Sequence, residues 1–86
     1  MLMTLEKPFK VKLRALPPDD QKTVLDAVTD PHNPRHRLKK VKSRRLRKES
    51  WSIRILNHKY RAFAQKAGCL YRWYWVGTHE QANGFL

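Results

Sequence analysis

Three aromatic-rich runs crowd the second half of the chain, and they leave few folds open. Trp51 to Leu56, Lys59 to Gln65 and Leu70 to Thr78 are each rich in aromatic, β-branched or apolar residues, the composition of strands. Only Asn57-His58 and Ala67-Gly68 separate them, and connections this short make hairpins. A small sheet holds in water only when its apolar face is covered. The N-terminal third supplies the cover. From Thr4, the residues Leu5, Phe9, Leu13 and Leu16 recur at helical spacing, with Thr4 placed as an N-cap and Pro8 in the first turn. Pro17-Pro18 ends that helix. Pro18, Asp19 and Asp20 open a second one, since proline suits the first helical position and the carboxylates complement the dipole. Val24, Leu25 and Val28 form its buried face, and Asp30-Pro31-His32-Asn33-Pro34 is a loop. The expected fold is α+β: an N-terminal helical hairpin packed on one face of a small antiparallel β-meander, one domain over residues 1–86.

Charge is the second constraint. The chain carries 19 Lys and Arg against 7 Asp and Glu, a formal net charge of +12. Residues 1–34 hold five basic and five acidic side chains, so all the excess lies in residues 35–86, with fourteen basic and two acidic. Self-repulsion of this size implies an anionic partner: nucleic acid, an anionic membrane or an acidic protein. The membrane is the weakest of these, because the longest purely apolar and aromatic stretch is Trp73 to Val76 and Met1-Leu2-Met3 turns polar at once. Neither a spanning helix nor a signal peptide is expected, and a lone Cys69 suits a reducing compartment. Residues 35–48 contain nine Lys and Arg and no acid. Leu38, Val41 and Leu46 within that run are anchors that would hold it against the body as an ordered, extended basic rim.

Antiparallel pairing conserves the sum of paired residue numbers. A two-residue loop at Asn57-His58, or a four-residue loop centred on it, gives a sum of 115 and sets Arg54 opposite Arg61. The same rule around Ala67-Gly68 gives 135, setting Tyr74 beside Arg61 and Arg72 beside Phe63. One face then carries Arg54, Arg61, Phe63, Arg72 and Tyr74, while Ile53, Ile55, Tyr60, Ala62, Trp73 and Trp75 turn to the helices. Two arginines facing each other cost a few tenths to about 1 kcal/mol on the scale of cross-strand pairs. Surface arginines also lie over aromatic rings with their stems, but aligned guanidinium groups beside rings suit a phosphate chain whose bases can stack.

The four histidines divide. His32 and His36 are four apart, but Pro34 intervenes and no third ligand is near, so no metal site and no cofactor is expected. His58 reads as a turn residue. His79 follows Val76-Gly77-Thr78 at the end of the last strand, where its ring can reach the basic face.

The segments Trp51-Ser52-Ile53-Arg54-Ile55, Tyr60-Arg61-Ala62-Phe63 and Val76-Gly77-Thr78-His79 resemble the core pattern of the RelE/ParE superfamily of bacterial toxins, most of all its RelE-like and YafQ-like ribonuclease branches. The resemblance implies a cytoplasmic toxin of a type II toxin-antitoxin system: a metal-independent endoribonuclease that cuts mRNA at the ribosome, inhibits translation, and is held inactive by an acidic antitoxin in a hetero-oligomer. It matches Arg61 to the phosphate-binding arginine, Arg54 to a basic residue of the preceding strand and His79 to the catalytic residue after the last strand. In the same reading Lys39, Lys40, Lys42, Arg44, Arg45 and Arg72 contact RNA, and Tyr74 or Phe85 stacks a base. Ser52 stands where some members carry a second basic residue, and Phe85 is the only aromatic residue of the tail. The first strand usual in the family is expected to be shortened or lost, because the helical pattern begins by Thr4. A ParE-like inhibitor of gyrase and a non-catalytic RNA- or ribosome-binding module are the alternative functions.

Overall fold

The computed structural model describes residues 2–85. It is α+β, with a five-stranded mixed sheet in the order β1-β5-β4-β3-β2. The strands are β1 (Leu2–Leu5), β2 (Lys39–Val41), β3 (Ser50–Ile55), β4 (Tyr60–Ala67) and β5 (Leu70–Thr78). The helices are α1 (Lys7–Arg14), α2 (Pro18–Thr29) and the short α3 (His79–Asn83). Among the described residues no helix is long and apolar enough to cross a membrane.

The first correction is β1. Leu2–Leu5 forms a strand parallel to β5, with Leu5 paired to Trp73, and the Glu6 amide extends the ladder by donating to the Trp73 carbonyl at 2.9 Å. Thr4 is therefore no N-cap; α1 starts at Lys7 with Pro8 in its first turn and buries Phe9 and Leu13. Leu5 packs on the same core from the strand side, so one apolar spacing runs across a strand and a helix and imitates a single helix. In α2, Pro18 and the two aspartates occupy the first turn as expected, and Val24, Ala27 and Val28 are buried.

The helix-facing core joins Phe9, Leu13, Val24 and Val28 to Ile53, Ile55, Ala62, Trp73 and Val76 of the sheet. The β3–β4 register follows the expected sum throughout, with Arg54 opposite Arg61. The β4–β5 register does not. The hairpin turns at Gly68-Cys69, one residue later than expected, and Gly68 takes the positive φ of 61° that such a turn favours. Further along, Ala64 pairs with Trp73 but Phe63 pairs with Trp75, which leaves Tyr74 as the extra residue of a β-bulge. The bulge reverses the side-chain alternation beyond it. Trp75 therefore joins Phe63 on the open face, and Val76 takes the place under the helices.

A second, smaller core forms on that open face. Phe63, Trp75 and Ala82 are buried there, with Val41, Leu46, Tyr74 and Phe85 packed against them. Residues 42–48 are ordered and cross this face. Ser43 Oγ donates to the Phe85 carbonyl, the Arg45 guanidinium donates to the Gly84 carbonyl, and Arg47 bridges to Glu6 at 2.8 Å.

Candidate nucleic-acid interface

The registers set the open face out in rows. Lys39, Ser52, Phe63 and Trp75 form one row, and Arg54, Arg61 and Gly77 form the next toward the β3–β4 turn. Arg37, two residues ahead of Lys39, approaches the same end. A cleft of about 610 Å³ opens here, between Pro34 to Arg37 on one side and Arg54 to His58 on the other, with Thr23 of α2 contributing. Among the described residues its lining contains three arginines and two histidines and no acid.

Arg61 is the unusual member. Its residue is only 5% exposed, its Nε has no hydrogen-bond partner, and no salt bridge among the described residues reaches it. Burial, followed by the charge of Arg54, lowers its pKa from the ordinary arginine value. Guanidinium remains charged at any physiological pH, so this is a largely buried cationic group with no counter-ion among the described residues. Burying a charge in that state is costly unless something pairs with it. An anion entering beside Arg54 and Arg61 would remove the penalty.

Gly77 lies opposite Arg61, and the space above it is taken. A Cβ at Gly77 would sit 2.6 Å from the Trp75 ring and 2.6 Å from Gln81 Oε1. Two residues on, His79 opens α3 behind a capping box in which Thr78 and Gln81 satisfy each other's backbone donors. The His79 amide donates to the Lys59 carbonyl at 3.2 Å, which ties the imidazole's backbone to the β3–β4 turn. The Nδ1 atom of His79 is buried with no hydrogen-bond partner.

That turn is itself strained. Leu56, Asn57 and His58 have φ of 52°, 50° and 73°, three successive left-handed residues without a glycine. Asparagine and, less so, histidine visit that region; leucine rarely does. Strain of this kind persists where the surroundings hold it, often at functional sites. Here the holders are β3 and β4, the Lys59 amide donating to the Leu56 carbonyl, and an anchor to α2 in which the Tyr60 hydroxyl and Lys59 donate to the Asp20 carboxylate.

The remaining expected site residues separate into groups. Lys39, Lys42 and Arg44 are exposed on the basic rim. Lys40 pairs with Glu49 at 3.1 Å, and Arg45 is tied to the tail. Arg72 does not neighbour Phe63; it pairs with Gln65 and Thr4, five residues along β5 from Gly77 and thus about 17 Å away at the rise of a strand. Tyr74 is not beside Arg61 either. Its ring is stacked on Phe63 at 6.5 Å and covered by Arg47 at 4.4 Å, and its hydroxyl shares a 2.7 Å hydrogen bond with Ser50. The ring is half-buried and engaged by both Phe63 and Arg47. Phe85 meets Phe63 and Trp75 edge-on at 6.2 and 5.0 Å, so its ring closes the second core rather than offering a platform to a base. His32 lies against Tyr71 and His36 in the cleft, and no group of three His, Cys, Asp or Glu placed for a metal exists among the described residues.

Sequence reasoning missed Arg35, Arg37 and His58. The signal for Arg37 lay in the alternation, because a strand at Lys39 beside β3 carries Arg37 toward Arg54. His58 was hidden by its turn, which reads as a connector. Comparison of the chain with family models, curated proteins and solved structures gives no match.

Proposed function

We propose that the chain is a toxin of the RelE/ParE type, a cytoplasmic endoribonuclease that cuts mRNA at the ribosome, stops translation, and is neutralised by an acidic antitoxin. The observation that carries this reading is Arg61: a largely buried arginine without a salt bridge among the described residues, paired across the strands with Arg54, which lines the cleft; this suits one phosphate of a chain better than it suits a folded protein on its own. The first strand is present, as the four residues of β1, so it is not lost. The exposed Lys39, Lys42 and Arg44 extend the positive surface along the rim, as a polyanion requires.

In this reading Arg54 and Arg61 bind the scissile phosphate and stabilise the extra negative charge that builds on its oxygens in the transition state. Arginine cannot move protons at neutral pH, so that task falls to imidazole, and His79 transfers a proton. The products are a 2′,3′-cyclic phosphate and a 5′-hydroxyl.

The test is expression in growing cells with mapping of message 5′ ends. Cuts at defined codon positions, lost in Arg61→Ala and His79→Ala, are expected. A DNA-damage response without cuts would mark a gyrase-directed toxin, and neither outcome would mark a non-catalytic binder. Purification from the native operon should bring down a small acidic protein bound to the chain.

A further inference from the structure

Cleavage by the 2′-hydroxyl needs two proton transfers, one from the nucleophile and one to the leaving group, and a single imidazole at position 79 supplies only one of them at a time. The fold places a second imidazole on the turn next to it. His58 lines the cleft beside Arg54, and the hydrogen bond from the His79 amide to the Lys59 carbonyl sets the two histidines on neighbouring segments. Resting on the ribonuclease reading, we propose that His58 is the general base of this site and His79 its general acid, with Arg54 and Arg61 holding the phosphate between them.

Three observations carry the assignment. His58 sits at φ 73° in the left-handed turn and lines the cleft. The groups facing it are cationic or titratable: Arg54 from β3, Arg61 from β4, Arg37 from the segment before β2 and His79 from α3. Asp20 of α2, the carboxylate bonded to the adjoining Lys59 and Tyr60, is not among the charges acting on His58. Partial desolvation first, and then Arg54, Arg37, His79 and Arg61, push the His58 pKa below its ordinary 6.5. A lowered pKa favours the neutral imidazole, the form that accepts a proton.

The step balances on these groups. His58 takes the proton from the 2′-hydroxyl as the O2′–P bond forms. The P–O5′ bond breaks, its electron pair leaves on O5′, and the His79 imidazolium supplies the proton that makes the 5′-hydroxyl. Nothing is oxidised or reduced.

The test is single-turnover cleavage of a synthetic message, offered free and on programmed ribosomes, by the parent, His58→Asn and His79→Ala. Asparagine tolerates the left-handed turn but cannot accept a proton, so circular dichroism of His58→Asn should match the parent. A loss of about 10²- to 10⁴-fold is expected for each variant. In the parent, kcat/KM should rise as pH climbs through the lowered His58 value, and His58→Asn should lack that limb. A 5′-bridging phosphorothiolate, whose sulfur leaves without a proton, should restore His79→Ala and leave His58→Asn impaired. Parent-like rate and pH dependence in His58→Asn would overturn the proposal while leaving the ribonuclease reading intact, as would rescue of His58→Asn by the thio substrate. A parent that cleaves neither form of the message would overturn both.

Discussion

The open face of the sheet has two ends built on opposite terms. At the aromatic end, Phe63, Trp75 and Phe85 close on one another, Arg47 caps Tyr74, and residues 42–48 are fastened across them by hydrogen bonds to the tail. At the other end, one row away, Arg54 and Arg61 face each other, and no carboxylate among the described residues forms a salt bridge with either. The same β3, β4 and β5 build both. One end gathers apolar area and satisfies its polar groups; the other leaves a buried charge unpaired. Such a contrast within one surface separates what holds the fold from what the fold presents.

Substitutions should break the two ends in different ways. The largest effect belongs to Phe63→Ala, which removes the fully buried centre of the aromatic cluster. It should destabilise by about 3–5 kcal/mol, read by urea denaturation, and release the 42–48 loop to proteolysis. Arg61→Met should do the reverse. Loss of the charge should cut message cleavage by about 10²–10³-fold, as for an oxyanion donor, while the melting temperature holds or rises because a buried charge gives way to an apolar side chain of similar volume. A fall in melting temperature with activity retained would show that Arg61 serves the fold.

The third change tests the joint between the cationic end and the helices. Tyr60→Phe removes the hydroxyl that donates to Asp20, a bond strengthened by the charge on its acceptor. It should lower the urea midpoint, by less than Phe63→Ala does. The Tyr60 hydroxyl, opposed by burial and aided by Lys59, holds the Asp20 carboxyl below its ordinary 3.8. A depressed carboxyl stabilises the fold above the unfolded value and loses that contribution as pH falls through the folded one. Stability of the parent should therefore decline below about pH 4, and Asp20→Asn should flatten part of that decline. The smallest effect is on the rim. Lys42→Ala with Arg44→Ala should leave stability within about 0.5 kcal/mol and should lower the salt slope of single-stranded RNA binding by about 0.7 for each phosphate that is no longer neutralised.

How much of this was legible follows from how local each decision is. The β3–β4 pairing could be read by arithmetic because a four-residue loop fixes its register, and it placed Arg54 opposite Arg61. The candidate pair therefore came from sequence. The face of Trp75 and the position of Tyr74 did not, because a bulge adds one residue without any compositional mark. It is set by how Trp75 packs against Phe63 and Phe85, contacts that no single segment contains.

The sequence by itself determined the second helix, the three long strands, the arginine pair and the concentration of positive charge, all products of short-range pattern and chain stiffness. Only the tertiary structure decided that Leu2–Leu5 is a strand rather than a helical turn, since its partner β5 lies far along the chain and parallel pairing leaves no local signature. It also decided that the tail and the basic loop seal the aromatic end, and that the His79 amide bonds to the turn that carries His58. Each of these joins segments distant in sequence, where burial and hydrogen-bond satisfaction outweigh local preference.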